Sequence, residues 1–223
     1  MGIPLRDISR RPAHRPVITV TIIVVNVFVF ILELLGGNAF VEQWAVIPAN
    51  IAAGQRWITI FTAMFMHGGW MHIIGNMVFL WAFGPEIEDA MGRFRYLLFY
   101  LIGGLVAFGA QIAAMPTSTV PNLGASGAIA AVMGAFLITY PRDRIRTLLF
   151  LGWFVTVTVL PAALLIGLWF LLQLFSEVGS VAQAQSGGGV AYMAHVGGFI
   201  FGAVAGRFFE SSRRIAAQTQ TYE

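Results

Sequence analysis

A serine and a histidine stand near the heads of two separate apolar segments of this chain. Ser126 lies in the string Gly-Ala-Ser-Gly, and His195 lies in Ala-His-Val-Gly-Gly. Polar groups are costly inside a bilayer, so a histidine in a membrane-length apolar stretch is a functional-site hypothesis by default. A hydroxyl becomes a useful nucleophile when a neighbouring imidazole accepts its proton. The two residues therefore predict a nucleophile and a base placed inside a membrane.

Two further polar residues could stabilise the negative charge that such a reaction develops. His72 and Asn76 are four residues apart, so on a helix they share one face. Together with the backbone N–H of Ser126 they could form an oxyanion hole. The second, fourth and sixth apolar segments carry no acidic residue near the depth of Ser126 and His195, so a Ser–His dyad is predicted rather than a triad.

A metal centre is not predicted, and neither is any other cofactor. His67 and His72 are the closest pair of histidines, but five-residue spacing separates two side chains by about 140° on a helix. The His-Glu-x-x-His pattern of zinc proteases does not occur. The chain also has no cysteine, which excludes disulfides, thiol nucleophiles and cysteine metal sites.

The composition predicts a polytopic membrane protein. Of 223 residues, 58% are hydrophobic and 10% are charged, whereas soluble domains carry about 25% charged residues. All basic residues are arginines, and all but Arg56 cluster at alternate ends of the apolar segments. This pattern follows the positive-inside rule and places both termini in the cytoplasm. It also argues against nucleic acid as the partner of the basic residues.

The predicted fold is all-α, with six transmembrane helices and no internal repeat. The predicted spans cover residues 17–35, 69–83, 96–114, 126–140, 148–175 and 190–208. Pro161 is expected to kink the fifth span. Residues 1–16 form a basic cytoplasmic tail, 17–208 the membrane domain and 209–223 a second cytoplasmic tail. Glu33 is expected near water at the outer end of the first span, and Glu86 and Glu88 as capping or solvated charges.

Chain direction places the candidate residues at one depth. The second, fourth and sixth spans all run from outside to inside, and each begins close to its polar residue. Small residues recur every four positions along the fourth and sixth spans, which allows helix backbones to approach closely. These residues are Gly127, Ala131 and Ala135 in one span and Gly198, Gly202 and Gly206 in the other. Their packing would bring Ser126 within hydrogen-bond reach of His195.

Taken together, these strings resemble the rhomboid intramembrane serine proteases of the bacterial six-span kind. The resemblance covers roughly residues 57–206, about two-thirds of the chain. The strings are HGGWMHIIGN at 67–76, FGP at 83–85, GRFR at 92–95, GASG at 124–127, WFLLQ at 169–173, and AH at 194–195 with the glycine stripe that follows. Their order and spacing are specific, although each one alone is weak.

The resemblance implies a role for each residue. Ser126 matches the nucleophile, His195 the base, and His72 and Asn76 the oxyanion donors. His67 matches a structural histidine, and Gly124, Gly127, Gly198 and Gly202 match positions that support the site. The implied partners are the lipid bilayer and single-span membrane protein substrates, cut near the outer face beside small side chains in unstable helices. A bacterial inner membrane is the implied location, and no oligomeric state is predicted.

Two positions depart from the family pattern. Thr59 stands where many members have the arginine of a Trp-Arg pair, and Ala130 stands where some have an aromatic stacked on the histidine. Tyr192 could support the imidazole instead. Three alternatives remain open: Ser126 as a packing residue only, an inactive relative that binds transmembrane clients, and a small transporter. The transporter ranks last because such proteins show inverted repeats.

Overall fold

The computed structural model of the protein describes residues 2–151, 153–183 and 192–220. The helices are α1 (Val17–Trp44), α2 (Pro48–Ala52), α3 (Thr59–Thr62), α4 (Trp70–Met91), α5 (Arg93–Ala114), α6 (Ser126–Thr139), α7 (Ala162–Gln183), α8 (Tyr192–Phe209) and α9 (Ser212–Ala217). The strands are β1 (Gly2–Asp7), β2 (Arg10–Arg11), β3 (Arg144–Leu151), β4 (Phe154–Pro161) and β5 (Thr219–Gln220). The fold is therefore mostly helical, with two small sheets.

Two helices, α1 and α5, are long and apolar enough to cross a membrane by length and composition. The fourth predicted span, α6, has only 14 residues, which is about 21 Å at the helical rise. The predicted start of the sixth span, at 190, and residues 184–189 of the loop before it lie outside the described residues. The count of six spans therefore stays a prediction.

Helix α6 forms the centre of the helical bundle. Its residues from Gly127 to Phe136 are buried, and it packs against α4, α5, α7 and α8. A short helix can be surrounded in this way only if its neighbours approach closely. Small side chains make that approach possible, and the close approach produces the dispersion contacts that hold the helices together.

The closest approach is between α6 and α8, along the two stripes of small residues. A Cβ atom added to Gly198 would overlap the carbonyl of Gly127, and one added to Gly202 would overlap the carbonyl of Ala131. A Cβ on Gly206 would lie 2.8 Å from the Cβ of Ala135. The two stripes thus pair in order: Gly198 faces Gly127, Gly202 faces Ala131 and Gly206 faces Ala135.

The prediction of a helix for the first half of the fifth span is wrong. The structure has an antiparallel hairpin of β3 and β4 there, and α7 begins only after Pro161. Two local causes explain the difference. Alternating valine and threonine at 155–159 favours a strand, and proline is accepted where a helix begins but disrupts its interior. Pro161 consequently precedes the helix and does not kink it.

The basic tail at the N-terminus has regular structure that was not predicted. Strand β1 pairs with β3 to give a three-stranded antiparallel sheet of order β1-β3-β4, and β2 pairs with β5 near the C-terminus. Arg10 forms an ion pair with Asp143 and lies 4.0 Å from the ring centre of Tyr140. The all-α prediction therefore missed two small sheets, which join the N-terminal residues to the β3–β4 hairpin and to β5.

Helix α4 continues eight residues beyond the predicted end of the second span at Phe83 and contains Pro85. The acidic residues of this extension are buried, so of the two predicted roles for Glu86 and Glu88, capping or solvated charge, the solvated one is wrong. Glu88 instead accepts the backbone N–H groups of Ile18 and Thr19 at 2.9 and 2.7 Å. It therefore caps the first turn of α1, whose N–H groups have no partner within their own helix.

We predict that Gly202→Ala destabilises the protein, whereas Gly109→Ala does not. The added methyl group overlaps the Ala131 carbonyl in the first variant but meets open space in the second. Overpacking costs about 1–3 kcal/mol, so the midpoint of thermal unfolding in detergent should fall only for Gly202→Ala. Equal midpoints for the two variants would contradict the packing of α6 on α8.

The stability of the protein around β1 should depend on the protonation of Asp7. Burial, reinforced by the neighbouring Asp143 carboxylate, raises the pKa of Asp7 from an ordinary value of 3.8 to about 7. The folded protein then holds this proton more tightly than the unfolded chain, so the stability contributed by Asp7 falls as the pH rises between these two values.

Asp7→Asn removes this titration and keeps an oxygen that can accept the Ser9 N–H at 2.7 Å. We expect its thermal midpoint to exceed that of the wild type at about pH 8, and the difference to shrink at about pH 5. A difference that is the same at both pH values would show that the Asp7 carboxyl does not titrate in this range.

Candidate active site

The structure brings Ser126 and His195 into direct contact. Ser126 is the first residue of α6, and His195 lies in the first turn of α8. The Ser126 Oγ and the His195 Nε2 are 2.7 Å apart, the length of a hydrogen bond. This short distance follows from the packing of the two helices, since a Cβ on Gly127 would lie 3.5 Å from the Ala194 carbonyl oxygen.

Two aromatic rings hold the imidazole of His195. The ring centres of Tyr192 and His195 are 6.3 Å apart, and the ring planes meet at 85°. Tyr192, considered from the sequence as a support for the imidazole, is therefore adjacent to it. Trp169 of α7 lies closer, at 5.9 Å. Trp169 opens the WFLLQ string, but no contact with His195 was predicted for it, because α7 reaches His195 only through tertiary packing. Trp169 also contacts Phe79 of α4 at 6.5 Å, so it links three helices at the site.

His72 presents a donor towards the same space. The backbone N–H of Gly68 donates to the His72 Nδ1 at 3.3 Å. A neutral imidazole that accepts at Nδ1 carries its proton on Nε2. A Cβ added to Gly124 would lie 3.1 Å from the His72 Nε2 and 3.4 Å from the Ser126 Oγ. The two groups thus face each other across the space that the missing side chain of Gly124 leaves.

Gly124 has both the conformation and the position that require glycine. Its φ is +140°, which L side chains rarely adopt. Its N–H donates to the Ala63 carbonyl at 2.9 Å, and Asn122 exchanges backbone hydrogen bonds with Val46. The loop before Ser126 is therefore held on the loop that follows α1, and any side chain at Gly124 would fill the space between His72 and Ser126.

Two more groups could stabilise an anion here. The Asn76 side chain is buried one helical turn after His72, and its Nδ2 has no hydrogen-bond partner within the described residues. A buried donor without a partner costs about 1–3 kcal/mol, which is unusual unless a ligand completes it. Ser126 itself begins α6, where the first N–H groups have no acceptor in the helix and the helix dipole favours negative charge.

The residues around His67 differ from the sequence expectations. Glu33, expected near water, is buried and accepts the His67 backbone N–H at 2.8 Å. His67 precedes α4, so the angular argument for two histidines on one helix does not apply. Its ring instead packs edge-to-face on His72 at 5.2 Å. Glu33 thereby fixes the loop that orients His72. The only sequence signal for this role of Glu33 was its position as a lone glutamate in an apolar span.

The two departures from the family pattern have different surroundings. Ala130 is fully buried within α6, and Trp169 and Tyr192 provide the aromatic contacts with His195. Thr59 is buried and its Oγ1 donates to the Arg56 carbonyl at 2.8 Å.

Among the described residues, no group of three His, Cys, Asp or Glu side chains is arranged to hold a metal ion.

A comparison with protein families gives one match, to the Rhomboid domain, over residues 54–212. Several relatives are similar to the chain. It is 33% identical to Rhomboid protease GluP of Bacillus subtilis over 135 residues, which are 58% of this chain and 26% of that protein. It is 29% identical to Rhomboid protease GlpG of Pectobacterium atrosepticum over 126 residues, 56% of this chain and 44% of that protein.

A third relative is a mitochondrial protein. Rhomboid protein 1, mitochondrial, of Saccharomyces cerevisiae is 26% identical over 201 residues, which are 88% of this chain and 54% of that protein. The chain thus spans between about a quarter and about half the length of these relatives. The match to the family covers more than half of the chain and includes both Ser126 and His195. The protein therefore belongs to the rhomboid family, a family of integral membrane proteins.

Proposed function

We propose that this protein is an intramembrane serine endopeptidase with Ser126 as nucleophile and His195 as base. One observation carries the proposal: the 2.7 Å contact between the Ser126 Oγ and the His195 Nε2. The His72 Nε2–H, which faces Ser126 across Gly124, supports the proposal, because acyl transfer needs both an activated nucleophile and a stabilised oxyanion.

The first half of the reaction forms an acyl-enzyme. The His195 Nε2 accepts the proton of Ser126 as its Oγ attacks the scissile carbonyl carbon. The carbonyl oxygen becomes an oxyanion, stabilised by the His72 Nε2–H, the Asn76 amide and the backbone N–H of Ser126. When the C–N bond breaks, His195 returns the proton to the leaving amine, and the substrate's carbonyl remains as an ester on Ser126.

The second half consumes water. His195 accepts a proton from a water molecule, which attacks the ester, and the same donors stabilise the second oxyanion. Collapse of this intermediate breaks the C–O bond, and Ser126 regains its proton from His195. The proposed mechanism uses a Ser–His dyad, whose imidazole contacts the rings of Tyr192 and Trp169.

The proposed substrates are single-span membrane proteins that enter sideways between α4 and α7. A cavity beside Ser126 is lined by small and apolar residues, among them Gly104, Ala107, Leu123 and Ala128. Such a lining favours small side chains next to the scissile bond. Cleavage near the outer face follows from the predicted topology, since α4, α6 and α8 all begin at that end.

We further propose that six helices span the membrane and that both termini are cytoplasmic, in the plasma membrane of a bacterium. The arginine clusters at alternate helix ends support this orientation, and two of the relatives named above are bacterial. The second candidate is a rhomboid-like protein that binds transmembrane clients without cutting them. The preserved contact between Ser126 and His195 favours the protease.

The main test needs no knowledge of the substrate. Detergent-purified protein is treated with a fluorophosphonate probe, and its intact mass is measured beside Ser126→Ala and His195→Ala. We expect a single adduct on the wild type and on Ser118→Ala, a control serine in the loop before α6, and none on the two site variants. A folded wild-type protein without an adduct would favour the client-binding alternative.

A transmembrane reporter then tests turnover. Both Ser126→Ala and His195→Ala should abolish its cleavage, and full activity in either variant would refute the proposed dyad.

Asn76→Ala should lower kcat for the reporter by roughly tenfold or more, because one oxyanion donor is lost. KM should change little, since the interaction forms in the transition state. Asn50→Ala, in the short helix α2, is a control with an unchanged kcat. If Asn76→Ala lowered only the thermal midpoint and left kcat intact, Asn76 would be structural.

A further inference from the structure

A second cavity, rich in arginine, lies at the inner end of the bundle. It has a volume of about 240 Å³ and is lined by His14, Arg15, Glu88, Asp89, Arg93 and Arg214. Along α4, Glu88 is 16 residues beyond His72, which corresponds to about 24 Å at the helical rise. This cavity is therefore separate from the proposed catalytic site.

The two carboxylates of the cavity already have partners. Glu88 accepts the N–H groups of Ile18 and Thr19 and the Thr19 hydroxyl, at 2.7–2.9 Å. Asp89 accepts the Ala13 N–H at 2.8 Å and contacts the His14 Nδ1 at 2.7 Å. Glu88 thus caps the first turn of α1 and Asp89 holds the segment before it, so both carboxylates are already engaged by the chain.

The three arginines, by contrast, are largely uncommitted. Within the described residues, the side chains of Arg15 and Arg93 make no hydrogen bond or ion pair. Arg214 makes one long contact, 3.4 Å, from its Nη1 to the Asp89 carbonyl. Its guanidinium lies over the turn between α4 and α5, where a Cβ on Gly92 would be 3.1 Å from the Arg214 Nε. Three permanent positive charges against two carboxylates leave the cavity cationic.

The position of the cavity indicates what anion reaches it. Arg15 is two residues before α1 and Arg93 is the first residue of α5, the two helices that are apolar and long enough to span a membrane. The cavity therefore lies at the level where lipid headgroups meet these helices. Arginine forks bind phosphate oxygens in pairs, and basic pockets between membrane helices on the cytoplasmic side accept anionic headgroups.

We propose that Arg15, Arg93 and Arg214 form a binding site for a phosphate anion, occupied by the headgroup of an anionic phospholipid of the inner leaflet. A bound headgroup would link the N-terminal segment, the α4–α5 turn and α9. It would thereby stabilise the folded arrangement of the inner end by mass action.

The test uses the full chain in detergent and compares two double variants. Arg93→Gln with Arg214→Gln removes two lining charges, and Arg95→Gln with Arg213→Gln removes two exposed arginines from the same helices outside the cavity. Native mass spectrometry with phosphatidylglycerol and phosphatidylcholine of equal chain length measures retained lipid. We expect one phosphatidylglycerol bound in preference to phosphatidylcholine, with affinity about tenfold or more lower in the first variant and within about twofold of wild type in the second.

Equal losses in the two double variants would overturn the proposal, because binding would then reflect overall charge. The wild-type protein gives an independent readout if the first variant does not fold. Its thermal midpoint should rise with added phosphatidylglycerol and not with phosphatidylcholine. If both lipids raise it equally, the site is not anion-selective. If inorganic phosphate at the same molar concentration raises it as much as phosphatidylglycerol, a free anion is the ligand and the headgroup assignment fails.

Discussion

The structure depends on the close approach of α6 and α8. Between two helices in lipid there is no hydrophobic gain from association, so dispersion contacts and backbone proximity must hold them together. Gly198, Gly202 and Gly206 permit contact with the backbone or Cβ atoms of Gly127, Ala131 and Ala135. The first step of this ladder lies next to Ser126 and His195. The same packing that holds the bundle together therefore sets the 2.7 Å distance between the two proposed reacting groups.

Buried carboxylates position both ends of the bundle. Glu33 holds the His67 backbone near the proposed site, and Glu88 caps α1 at the opposite end. A carboxylate in a medium of low polarity is costly unless backbone N–H groups satisfy it. In return, each such contact fixes the position of a distant part of the chain. The loop that orients His72 and the first turn of α1 are both held in this way.

The two ends of the molecule have different chemistry for a physical reason. The end with Ser126 is lined by small and apolar side chains and carries neutral imidazole and amide donors, which suit a reaction with a transient oxyanion. The other end combines the sheet, the arginines and the carboxylates of α4, and so matches the charged interface of a membrane. The 14 residues of α6 separate these two environments.

The sequence by itself determined the helical character, the pairing of the small-residue stripes and the candidate residues Ser126, His195, His72 and Asn76. These follow from local rules: apolar length, four-residue periodicity and the cost of polar groups in a membrane. Tertiary structure alone decided the rest. The β3–β4 hairpin depends on pairing with the distant β1, and the contacts of Trp169 and Glu33 join residues far apart in the chain. Such contacts leave no periodic signal, because each depends on where another part of the chain folds.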